Sequence, residues 1–134
     1  MTATTSDRSV RVRVGTILIY LSCLVLAGSA AAKVVQVPTV ASKLAVLGFS
    51  GSKLLLIAGL ELAGAILFAF PRTRAFGLLL LSAYLGGAVA AHVAHDQLPF
   101  QPAFVLALIW IGISLRHPEA LASLRQAPTR SAFG

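Results

Sequence analysis

Apolar positions in this chain gather into four long runs, Val14 to Ala32, Leu54 to Phe70, Ala75 to Ala91 and Leu98 to Leu115, and the only charged side chain within them is Glu61. Each run holds 17 to 19 residues. That is close to the roughly 20 residues that cross about 30 Å of hydrocarbon at about 1.5 Å rise per residue. The pattern predicts an all-α integral membrane four-helix bundle occupying residues 14–118, with spans near 14–33, 52–70, 75–94 and 98–116. Residues 1–13 and 119–134 are left as tails, the second read as a short helix after Pro118 followed by disorder.

The connections are unequal. Val34 to Ser52 is long for a turn, and after Pro38 a short helix is expected, capped by Thr39. Val40, Leu44 and Leu47 fall on one face of it and Ser42 and Lys43 on the other, so it is placed along the membrane interface. Gly48, Ser50, Gly51 and Ser52 end it. The connection Phe70 to Arg74 is tight and makes spans two and three antiparallel neighbours. Span three repeats small residues every four positions, as Ala83, Gly87 and Ala91 and as Ser82, Gly86 and Ala90, which predicts an interior face.

Composition agrees with a membrane: 57% of the 134 residues are hydrophobic and 11% charged, far from the soluble average. The net charge of +7 is a topology signal. Arg8, Arg11, Arg13, Arg72, Arg74, Arg116, Arg125 and Arg130 share one side, against Lys33, Lys43 and Lys53 on the other. The positive-inside rule puts both termini in the cytoplasm, with a bacterial cytoplasmic membrane as the expected location. No basic run is interleaved with stacking aromatics, so nucleic acid is not an expected partner. A cleaved signal peptide is the competing organisation, because Gly15 to Ala27 is apolar and Ala30 to Ala32 are small. The long charge-free run favours retention. Cys23 is the single cysteine, which excludes disulfide chemistry of the kind used by membrane quinone reductases with paired cysteines.

Glu61 is the chief candidate for chemistry. A carboxylate at that depth costs about 2.5 to 3.5 kcal/mol on insertion scales, so it should face protein. Ala58, Gly64 and Ala65 share its stripe. Counting from the span ends puts Cys23, Glu61, Tyr84 and Trp110 near the midplane, where Tyr84 or Trp110 could donate to the carboxyl. Without a cation the carboxyl would favour its neutral form, able to donate to a carbonyl or quinone oxygen or to act as an acid. Lys33, Lys53 and His92 are the cations within reach, although Lys33 and Lys53 are expected to snorkel to the outer headgroups. Ligand-binding candidates are therefore Glu61, Tyr84, His92 and Trp110, and under an enzymatic reading Glu61, Tyr84 and His92 are catalytic. His92, His95 and Asp96 are too few for a metal site, and none is predicted.

Leu47-Gly48-Phe49, Gly59 to Ala65, Pro71 to Arg74, Tyr84 to His92 and Leu115 to Pro118, in this order, resemble the DoxX-like family of small four-helix membrane proteins. Glu61, Gly64, Arg72, Gly86, Gly87 and His92 match its recurring positions, whereas Ala91 stands where the family typically has a polar residue. The family's name comes from a subunit associated with thiosulfate:quinone oxidoreductase, with other relatives linked to membrane redox complexes and a distant animal one to receptor assembly. Most members of the family have no established activity, and the favoured expectation is an accessory, non-catalytic subunit of a membrane redox complex. Its partners would be the bilayer, a membrane-bound or soluble oxidoreductase and further copies of itself, its ligand a quinone or other lipophile held without a covalent bond. The alternative is a small membrane enzyme acting on a lipophilic substrate through Glu61. A transporter is disfavoured by the absence of internal repeats and broken helices.

Overall fold

The computed structural model describes residues 5–119 and 122 and is all-α, with no strand among the described residues. Five helices follow in order: α1 Thr5–Val34, α2 Pro38–Val46, α3 Ser52–Ala69, α4 Arg74–Ala94 and α5 Phe100–Arg116. Three of them, α1, α3 and α4, are long and apolar enough to cross a membrane, and α5 is an apolar helix of 17 residues. The expected tail helix and disorder lie, past Glu119, outside the described residues.

α1 packs against α3 and α5, α3 against α4, α4 against α5, and α2 touches α1. Each long helix turns a narrow stripe inward. On α1 it is Gly15, Ile19, Ser22, Leu26, Ala30 and Lys33, at steps of three and four residues. On α3 it is Leu54, Ala58, Glu61, Gly64, Ala65 and Phe68. The centre is built from Ile19, Leu26, Ala65, Phe68, Leu81, Leu85, Val105 and Ile109, with Cys23 packed at its margin. Large apolar side chains also point outward, among them Ile17, Leu24, Leu56, Phe76 and Leu79, so the helices are apolar all round, as lipid contact requires.

Two sequence expectations fail here. The small-residue stripes of α4 do not form its interior face: Ala83, Gly86, Gly87 and Ala90 are exposed, and a Cβ added to Gly86 or Gly87 would meet nothing within 4 Å. The inward stripe is Arg74, Gly77, Leu81 and Leu85, a rotation of the helix that lets two leucines fill the centre. Likewise, α2 is not capped by Thr39. Pro38 is its first residue and Val37 its N-cap without a side-chain bond, a position where proline's missing N–H costs nothing.

Close backbone approach is confined to two places, both at the end of the molecule that holds the α3–α4 turn. Where α1 crosses α5, a Cβ on Gly15 would lie 2.8 Å from the Gly112 carbonyl oxygen and 2.8 Å from the Arg116 nitrogen. At the α3–α4 turn, Gly77 lies against the backbone of Leu67 and Phe68, and a Cβ there would come within 2.6 Å of the Phe68 Cα. The same turn is closed by buried Arg74, which donates through Nε to the Phe68 carbonyl (3.0 Å) and through Nη2 to that of Ala69 (3.1 Å), while Thr73 Oγ1 donates to Leu67 (2.8 Å). A cation on the last carbonyls of α3 suits the negative end of the helix dipole.

These contacts rank the glycines. Gly77→Ala should cost at least about 2 kcal/mol, since backbone rather than a movable side chain must yield. Gly86→Ala should be neutral or stabilising within about 1 kcal/mol. Thermal unfolding of the purified variants in detergent measures both; equal losses would contradict the packing described.

Candidate functional site

The other end of the molecule is arranged around an ion pair. Lys33 closes the inward stripe of α1 and Glu61 lies in the middle of the stripe of α3, so the α1–α3 contact brings them together: Lys33 Nζ donates to Glu61 Oε2. Both are buried, at 6% and 3% exposure. Lys33 Nζ also donates to Ser29 Oγ (2.7 Å), one turn back on its own helix. The cation expected to snorkel outward is therefore the partner of the carboxylate, because its register with Leu26 and Ala30 points it inward. Lys53, in the first turn of α3, is exposed.

The pair forms part of the wall of a partly open cavity of about 310 Å³ lined by residues of all five helices. Tyr84 and His92 of α4 line it, with Leu26, Leu85 and Val105 supplying apolar wall and Gln97 and Gln101 polar groups. Tyr84 faces the same space as Glu61. His92 Nδ1 lies 2.8 Å from the Ala88 carbonyl, which only accepts; Nδ1 thus carries a proton, and in the neutral ring Nε2 is left as an acceptor. α2 closes one side with Thr39, Val40, Lys43, Leu44 and Leu47. Lys43 thus belongs to the same side of α2 as Leu44, not to the opposite face expected from the sequence.

Three of the four ligand candidates, Glu61, Tyr84 and His92, meet at this cavity. Trp110 does not line it: it is 39% exposed, and its Nε1 donates to Ser82 Oγ (3.2 Å) across the α4–α5 contact. His95 and Asp96 are also outside the cavity. Asp96 has φ 55° and turns the chain after α4, with the Gln97 N–H donating to the His92 carbonyl (2.9 Å), so its place is explained by the helix end. Sequence reasoning missed Ser29 and Lys43 as lining residues and Arg74 as a buried cap. Lys33 could have been recognised from its register with Ile19, Leu26 and Ala30.

Chemically, the wall offers a neutralised charge pair, a phenol, an imidazole acceptor and two carboxamides around apolar side chains. Such a lining fits a mostly apolar molecule with a few polar atoms.

Comparison with known proteins supplies a family. No curated protein and no solved structure matches the chain. The model of the DoxX-like family matches residues 17–113, from near the middle of α1 into the last turn of α5 and including Lys33, Glu61, Tyr84 and His92. With most of its length inside that match, and with helices long and apolar enough to span a membrane, the chain belongs to the DoxX-like family of membrane proteins.

Proposed function

We propose that this chain is an accessory, non-catalytic subunit of a membrane redox complex that holds a lipophilic, carbonyl-bearing molecule such as a quinone in the cavity beside Glu61. In this reading α1, α3, α4 and α5 cross the membrane as a four-helix bundle with both termini in the cytoplasm, and α2 lies at the outer interface over the cavity. The arginines at the α1 start, the α3–α4 turn and the α5 end support that orientation.

The observation that carries the proposal is the Lys33–Glu61 pair in the cavity wall. An acid held against a lysine has its charge matched within the protein. It serves better as a fixed polar surface than as a proton donor awaiting a substrate. Lys33 Nζ and the Tyr84 hydroxyl are donors suited to a ligand carbonyl, and Gln101 adds another. The competing reading is a small membrane enzyme. What favours it is the presence of Tyr84 and His92 on the same cavity as the carboxylate, which would give acid/base chemistry a relay.

Native mass spectrometry of protein extracted gently from its own membrane separates these readings. Wild type should retain a small lipophile and a partner protein, and Glu61→Gln should lose the lipophile while keeping the partner. Turnover of that lipophile by the isolated wild-type chain, abolished by Glu61→Gln, would replace the subunit reading with the enzyme. Retention of no lipophile by wild type would sink the pocket.

Stability follows its own rule at this pair. Lys33→Met alone leaves a buried carboxylate unmatched and should cost about 3 to 5 kcal/mol, whereas Lys33→Met with Glu61→Leu should recover most of it. Thermal unfolding in detergent reads the difference, and a double variant as unstable as the single one would contradict the pair's role. The recovered double variant should still fail to retain the lipophile. Tyr84→Phe should fold as wild type and retain the lipophile several-fold less.

A further inference from the structure

A second cavity, of about 470 Å³, lies at the opposite end of the molecule from the Lys33–Glu61 pair, between the start of α1 and the end of α5. Arg8, Arg11 and Val12 line it from α1, and Leu115, Arg116, His117, Pro118 and Glu119 from the other side. We propose that it binds the phosphate headgroup of an anionic phospholipid from the surrounding leaflet.

Charge balance is the first reason. Three guanidiniums from two chain segments about a hundred residues apart converge on one space, and among the described residues the only carboxylate that lines it is Glu119. That carboxylate is exposed and already paired with His117 Nδ1 at 3.0 Å. Asp7, in the first turn of α1, makes no ion pair with the arginines among the described residues. The positive-inside rule explains why arginines occur at this end. It does not require them to share a cavity, where like charges repel unless an anion joins them.

The donors give the second reason. Arg116 Nη1 donates to Thr16 Oγ1 on α1, which fixes the guanidinium at the cavity. Its Nε is buried and has no hydrogen-bond partner among the described residues. An N–H shut off from water is shut off from a headgroup too, so the fork meets a phosphate oxygen through Nη2, which makes no hydrogen bond among the described residues. Arg8 and Arg11, one helical turn apart, add two further forks.

Apolar neighbours decide the source of the phosphate. Val12 and Leu115 line the same space as the arginines, where α1 and α5 pass into their apolar runs. A lipid presents a phosphodiester joined to hydrocarbon at this boundary and matches both halves of the lining, whereas free phosphate matches only the arginines.

Arg8 and Arg11 are exposed and serve no packing role, so Arg8→Gln with Arg11→Gln tests the site without disturbing the fold. Full-length protein in neutral detergent is mixed with phosphatidylglycerol or phosphatidylcholine and read by native mass spectrometry and thermal unfolding. Wild type should retain phosphatidylglycerol and unfold several degrees higher with it, while phosphatidylcholine does neither. The double variant should unfold like wild type without lipid and retain phosphatidylglycerol at least tenfold less. Arg13→Gln with Arg72→Gln removes the same charge from exposed positions outside the cavity and should behave as wild type. Equal loss in that control, equal retention of the two lipids, or undiminished retention by the double variant would overturn the proposal. Complete displacement of the lipid by millimolar inorganic phosphate would overturn it in favour of a soluble anion.

Discussion

The Lys33–Glu61 pair is the constraint around which the molecule is organised. In a medium of low dielectric neither charge is tolerable alone, and each has few places to find the other. Lys33 lies in the last turn of α1 and Glu61 near the middle of α3, so their contact sets how far α1 slides along α3. With that register set, Leu26 and Ala30 of α1 fall on the same inner face as Ala58 and Ala65 of α3. Ser29 provides the ammonium with a second acceptor on its own helix. A pair of this kind contributes little net stability compared with apolar replacements. What it does is tie α1 to α3 at one level and place polar atoms in the wall of the cavity.

The two ends of the molecule are built on different principles. At the end holding the α3–α4 turn, Gly15, Gly77 and Gly112 let backbones touch, and Arg74 and Thr73 use up the terminal carbonyls of α3. At the other end side chains rather than backbones separate the helices, and a cavity is left with α2 across one side. α2 buries none of its own residues and touches mainly α1. Its borders are conformationally distinct: Gln36 has φ 51° before it, and Gly51 after it has φ 56° with ψ −127°, a region open to glycine.

Much of this was legible in the sequence. Run lengths gave the helices, and the lone acid marked the end that holds the ion pair and the cavity beside it. Counting depth put Tyr84 level with Glu61, and His92 was expected two turns further out on the same helix; both line the cavity. Several of the failures share one cause: position along a helix is readable from a sequence, whereas rotation about the helix axis is not when every face is apolar. Trp110 is turned towards Ser82 of α4, away from the cavity, and the small residues of α4 are turned outward. Lys33 was weighed by its position near the span end, which favours snorkelling, rather than by its phase with Ile19 and Leu26. Arg74 was counted as a topology charge, although a tight turn after an uncapped helix leaves carbonyls that a neighbouring guanidinium can satisfy.

The chain order of the ion pair bears on how the protein is made. Lys33 is synthesised before Glu61 and ends the helix that enters first. When α3 arrives with its acid, the matching cation is already at the membrane, provided α1 has stayed close. The long α1–α3 connection gives α1 room to wait without drifting away, and the short α3–α4 turn lets the next two helices follow as one hairpin. A chain in which α1 and α3 were parted would leave the Glu61 carboxylate without its cation in an apolar setting, so the contact between these two residues bears on assembly as well as on register.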